Sequence, residues 1–113
     1  MTAATASPLA ALAAQQCRAG APLLAPARLA PRLRVLTGWK HADATLAKTF
    51  RFADYYHTIA FVNAIAWMAN QQDHHPDLSV HYNHVVVDWS THDAGGVTLN
   101  DCICAARTEQ LAP

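Results

Sequence analysis

The sequence predicts an α+β fold: a four-stranded antiparallel sheet with helices packed on one face. Three observations carry this. Two stretches, one around residues 39–52 and one around 78–91, each read as a pair of strands joined by turn residues. Each pair is followed by a long stretch of helical apolar periodicity. The resulting order β-β-α-β-β-α fits within 113 residues, the length of one domain.

Residues 1–16 (MTAATASPLAALAAQQ) are dominated by alanine and read as a loosely ordered, flexible tail, so the single domain is placed at 17–113. Alanine removes little apolar surface from water, and the core is therefore expected mainly after about residue 35. Pro22, Pro26 and Pro31 divide the next stretch, but Leu29, Leu33 and Leu36 keep helical spacing, which predicts one short helix near 26–36. Gly38 ends it. Residues 39–41 and 46–52 then form a hairpin around the turn at 42–44, with Leu46, Lys48, Phe50 and Phe52 on one side by the period of two.

Asp54 is suited to cap the following helix. Along it Ile59, Val62, Ala66 and Ala69 make one apolar stripe, and Phe61, Ile65 and Met68 make a second. A helix lying on a sheet needs one such stripe, so the second predicts burial against another subunit, with a larger core inside this one as the alternative. The helix is expected to end near Gln72, since Pro76 blocks its continuation. Residues 78–82 and 85–91 are the best strand signals, with the turn at 82–84 and with Val85, Val87 and Trp89 alternating against His84, Val86 and Asp88. Thr98 or Asn100 starts a closing helix that carries Leu99, Ile103 and Leu111.

Charge excludes some functions. Residues 1–38 carry four arginines (Arg18, Arg28, Arg32, Arg34) and no acid, whereas residues 39–113 carry four bases and eight acids, so the formal zero is +4 against −4. Neither part makes the clustered basic surface of a nucleic-acid binder, and no nucleic-acid partner is expected. No apolar run reaches the roughly 18 residues of a spanning helix, which predicts a soluble, cytoplasmic protein with no membrane contact. Cys17, Cys102 and Cys104 form no even framework and are read as reduced thiols.

Seven histidines are present, with His74, His75, His81 and His84 between residues 74 and 84 and His92 just beyond. Imidazole titrates near neutrality and serves as proton donor or acceptor. His74 and His75 fall at the junction of the long helix with a strand, and His92 falls at the end of that strand's antiparallel partner. Topology therefore brings all three to one end of the sheet. Asp73 lies beside the pair and is placed to orient an imidazole. Surface or core histidines, a metal site and metal-free proton transfer are the three readings. Adjacent His74 and His75 diverge, and no H-E-x-x-H or C-x-x-C completes a metal set. With no nucleophile elbow, phosphate loop or dinucleotide fingerprint, proton shuffling on a small molecule, a dehydration or an isomerisation, fits best.

At these residues the chain resembles the pterin-4a-carbinolamine dehydratases. The similarity rests on D-H-H-P at 73–76, Tyr82 six residues after Pro76, S-T-H at 90–92 and Asp101 nine residues after His92. Gly38-Trp39 and the C-x-A-G-x-P-L stretch from Cys17 resemble bacterial members. The resemblance implies removal of water from a 4a-hydroxy-tetrahydropterin to give quinonoid dihydropterin, in tetrahydropterin recycling. It implies no cofactor, no metal, and assembly as a homodimer or homotetramer. It places catalytic roles on His74, His75 and His92, the supporting acid on Asp73, and substrate contacts at Asp73, Ser90, Thr91, Asp101 and Asn70. His74 is assigned the N5 proton, and His75 with His92 the departing oxygen. Two positions depart from the family pattern: Asn70 where a Glu is common, and Leu78 where an aromatic often stands. The alternative function is that of a non-catalytic regulatory or dimer-stabilising partner, since some family members stabilise dimers of a transcription regulator.

Overall fold

The structure, a computed structural model, describes residues 7–113. Two hairpins make the sheet. Strand β1 (Lys40–Ala42) turns into β2 (Thr45–Arg51), and β3 (Asp77–Val80) turns into β4 (His84–Trp89). The order across the sheet is β1-β2-β4-β3, all antiparallel, with β2 and β4 at the centre. Leu46 faces Trp89, Lys48 faces Val87 and Phe50 faces Val85, so the inward residues of the two hairpins meet side by side. The first turn places Asp43 and Ala44 at φ 52° and 65°, the left-handed pair that matches strand twist in a two-residue hairpin.

Among the described residues four α-helices accompany the sheet: α1 (Pro8–Ala13), α2 (Pro26–Val35), α3 (Tyr55–Gln72) and α4 (Leu99–Leu111). Helix α3 starts at Asp54, whose side chain accepts from the His57 backbone N–H, and α4 starts at Thr98 in a capping box with Asp101. The core joins Leu46, Phe50, Val85, Val87 and Trp89 of the sheet to Phe61, Ile65 and Met68 of α3 and Ile103 of α4. Phe61 sits between Phe50 and Phe52, with ring centroids at 4.9 and 5.0 Å. Lys48, on the same side of β2, pairs with Glu109 of α4, which also accepts from Trp39 Nε1 at 2.8 Å. The α+β class and the four-stranded antiparallel sheet expected from the sequence are thus present, with strand ends shifted by one or two residues.

Three differences matter. The loose tail expected over 1–16 is ordered from Ser7 onward: its first six residues lie outside the described residues, but Ser7 caps α1, and Leu12 and Ala13 are buried. The core therefore draws on residues before 35, Leu29 included. The reason is that small alanines let α1 lie close to the equally alanine-bearing α4, so weak periodicity conceals a real packing face. On α3, the stripe of Phe61, Ile65 and Met68 is inside this subunit, while in the other stripe Ala69 is buried, Ile59 and Val62 are only half-buried and Ala66 is exposed. Finally, a single turn of 3-10 helix, His92–Ala94, follows β4 and ends at Gly95 in the left-handed region. Among the described residues no helix is long and apolar enough to cross a membrane.

Candidate functional site

The site is assembled at one end of the sheet, where α3 ends, β4 ends and α4 begins. Helix α3 stops because Asp73 adopts the left-handed conformation at φ 50°. The His74 N–H then reaches back to the Ala69 carbonyl at 3.2 Å, a Schellman closure with Asp where Gly is usual. A left-handed L-residue costs about 1 kcal/mol, and Asp is among the side chains that tolerate it. The closure sets His74 immediately beyond the helix and directs the chain into β3.

The His74 ring lies against Trp89, centroids 5.6 Å apart and planes within 17°. Trp89, the last residue of β4, is fully buried and donates from Nε1 to Thr108 Oγ1. The edge of the His74 ring meets Asp101: Nε2 and Oδ1 are 2.6 Å apart. Asp101 is fully buried, and its other oxygen accepts from Thr91 Oγ1 at 2.7 Å and from the Thr98 backbone N–H at 2.8 Å. Thr91 Oγ1 in turn lies 2.9 Å from Thr98 Oγ1, which accepts from the Asn100 N–H. The carboxylate is thus held by three donors, His74 among them, and burial makes each bond stronger than it would be in water.

This arrangement sets the proton affinity of His74. The hydrogen bond to Asp101 raises its pKa above the ordinary imidazole value; burial acts the other way, and the charges of Asp101, Cys17 and Asp73 reinforce the rise. With Nε2 turned to Asp101, the tautomer is fixed and Nδ1 is the nitrogen left to exchange a proton with a guest.

Two cavities adjoin this ring. The smaller, about 290 Å³, is lined by Asp73, His74, His75, Ser90, Thr91, His92 and Asp93. The larger, about 720 Å³, shares Asp73, His74, Thr91 and Asp93, and its far wall is the segment Cys17–Leu23. Both are in or near the size range of small-molecule sites. The three histidines singled out from the sequence therefore line one cavity, with His74 part-buried and His75 and His92 exposed. Ser90 lines it too, although its hydroxyl donates to the Ala44 carbonyl.

Other expectations fall differently. The acid bonded to His74 is Asp101, not the sequence-adjacent Asp73, which serves the helix end through its backbone and lines both cavities. Asn70 is exposed on α3 and lines neither cavity. Tyr82 lies at the opposite end of the sheet, 65% exposed and stacked on Tyr55 at 6.2 Å. Asp93 and the Cys17–Leu23 wall were not singled out as site residues. The T-L-N-D capping signature at 98–101 was the available signal that Asp101 would be fixed at a helix start. Among the described residues no group of three or more His, Cys, Asp or Glu is arranged to hold a metal ion.

Fold and geometry together define a small α+β domain carrying a histidine-lined cleft with one imidazole polarised by a buried carboxylate. The family model described as pterin 4 alpha carbinolamine dehydratase matches residues 22–111, and the chain belongs to that family. A protein of Xanthomonas oryzae pv. oryzae (strain MAFF 311018) named "Putative pterin-4-alpha-carbinolamine dehydratase" is 61% identical over 90 residues, 78% of this chain and 76% of that one. A Chromobacterium violaceum protein of the same name is 65% identical over 79 residues, 70% and 73% of the two chains. Among solved structures, a transcriptional coactivator/pterin dehydratase from Brucella melitensis superposes with a TM-score of 0.76 at 32% identity, covering 80% of this chain and 98% of that one. A pterin dehydratase-like protein identified as a RuBisCO assembly factor in the alpha-carboxysome shares the fold, with a TM-score of 0.56 at 24% identity over 66% of this chain and 86% of its own.

Proposed function

We propose that this protein removes water from a 4a-hydroxy-tetrahydropterin, giving the quinonoid dihydropterin, by general acid–base catalysis from its histidines. The reaction asks for two proton movements. The N5–H proton leaves as the C4a–N5 double bond forms, and the 4a-oxygen gains a proton as the C–O bond breaks and water departs. The observation that supports the reading best is the Asp101–His74 pair at the rim of a cavity that also carries His75 and His92. A histidine with raised proton affinity suits the base that takes the N5 proton through Nδ1. His75 and His92, exposed on the same cavity, supply protons at the oxygen, and Asp73, Ser90 and Thr91 contact the heterocycle. This proton chemistry calls on neither metal nor cofactor; the pterin is the substrate. Exchanging His74 for Ala is expected to lower the dehydration rate about 100-fold or more in a folded protein. An unchanged rate in stopped-flow absorbance would remove the role.

A second reading is that of a non-catalytic regulatory or dimer-stabilising partner, and it turns on what covers one helix face. The outward face of α3 displays Tyr56 and Trp67 at 76% and 67% exposure. We propose that a homodimer or homotetramer covers this face. A light-scattering mass of a single chain, with a regulator recovered in stoichiometric complex, would instead favour the partner role.

A further inference from the structure

Cys17 and Cys104 lie 87 positions apart in sequence, yet their sulfurs are 3.5 Å apart. The closeness is enforced by the backbone around them. The Cys17 N–H donates to Gln72 Oε1 at 2.9 Å, and the Arg18 N–H donates to Asn100 Oδ1 at 3.0 Å. Asn100 Nδ2 returns a bond to the Arg18 carbonyl at 2.7 Å, and Arg107 Nη2 holds the Gln15 carbonyl at 2.8 Å. Four hydrogen bonds thus pin the segment bearing Cys17 onto the ends of α3 and α4. Cys17 also precedes the family-matched region, which begins at residue 22, whereas Cys104 lies inside it.

The two thiols are chemically unequal. Cys17 is half-buried and lines the larger cavity, while Cys104 is fully buried and lines neither cavity. The hydrogen bond with Cys104 lowers the Cys17 pKa, burial opposes it, and the neighbouring His74 and Arg107 add to the lowering, while Cys104 is pushed up by the same bond and by burial. Cys17, which borders the cavity and has the lowered pKa, is therefore the sulfur placed to act as nucleophile; its Sγ also donates to the Asn100 carbonyl at 3.6 Å, and either sulfur can donate to the other. Cys102, fully buried and pushed up to about 12 by burial, makes no side-chain hydrogen bond to either sulfur among the described residues.

We propose that Cys17 and Cys104 form a reversible redox latch, closed by a peroxide, that ties the N-terminal segment to α4. The Cys17 thiolate attacks one peroxide oxygen, the O–O bond breaks, and hydroxide leaves and is protonated to water. Cys17 is then a sulfenic acid. The Cys104 sulfur attacks the Cys17 sulfur, the S–O bond breaks, and the oxygen departs with the Cys104 proton as a second water. Two thiols are oxidised to one disulfide and one peroxide is reduced to two waters. An external dithiol reverses the step by exchange. Closure fixes the wall of the larger cavity that faces His74.

The test is to treat the native full chain with hydrogen peroxide and measure its intact mass, its thiol titre and its melting temperature. The expected result is a mass lower by two hydrogens and a titre that falls from the three free cysteines to one. A tryptic peptide should join Cys17 to Cys104, and the melting temperature should rise by about 5 °C or more, reversed by dithiothreitol. Cys102→Ser keeps the whole response. Cys104→Ser leaves Cys17 as a sulfenic acid that dimedone captures. The proposal is overturned if three thiols persist at peroxide doses that consume free glutathione, if Cys17 links to a second chain, or if Cys17 gains oxygens while Cys104 stays reduced.

Discussion

His74 and His75 are neighbours in the chain and occupy opposite environments. His74 is stacked on buried Trp89 and bonded to buried Asp101, whereas His75 is exposed with no hydrogen bond to a described residue. His92, across the cavity, resembles His75. The fold sets the orientation and the proton affinity of the His74 ring, and leaves the exposed His75 and His92 rings without such an anchor. Preorganisation of that kind is where enzymes gain electrostatic stabilisation without reorganising during reaction. It also ties the orientation of the ring to stability on the His74 side only, since the same carboxylate that bonds the ring caps α4.

Breaking the buried side should have the largest consequence. Asp101→Ala strips the acceptor from His74, Thr91 and the Thr98 N–H together, and is expected to cost about 3–5 kcal/mol in urea unfolding. A loss below about 1 kcal/mol would mean that the network is not cooperative. On the exposed side, His75→Ala and His92→Ala should each leave stability within about 0.5 kcal/mol of the parent. Their dehydration rates should nonetheless fall between about ten- and a hundredfold. If either variant unfolds the chain, the contrast between anchored and free rings is wrong. The smallest effect is expected at Asn70, which lines neither cavity: Asn70→Ala should change the rate less than about twofold, as checked by the same assay.

How much of this could be read from the chain differs by feature. Hairpins and long helices were legible because their signals are local: period-two alternation at 85–89, an Asp cap at 54, a Thr cap at 98. The meeting of β2 with β4 was not, since it joins strands separated by all of α3, and nothing in either strand's own pattern names its neighbour. The convergence of His74, His75 and His92 followed from antiparallel pairing. The partner of His74 did not, because Asp101 lies 27 residues away and reaches it only through the packing of α4. Likewise α1 was hidden by alanine, whose burial depends on what it packs against rather than on its own hydrophobicity.

The raised pKa of His74 also has a thermodynamic sign. Because the folded value exceeds the unfolded one, the pair's contribution to stability is fully present below about pH 6.5 and is lost as pH rises through the folded value. The most direct measurement is therefore the titration of the His74 ring by NMR in the parent and in Asp101→Asn. The account predicts a parent midpoint above about 6.5 that drops when the carboxylate becomes an amide. A parent ring that titrates at or below that value, or a midpoint indifferent to Asp101, would contradict it.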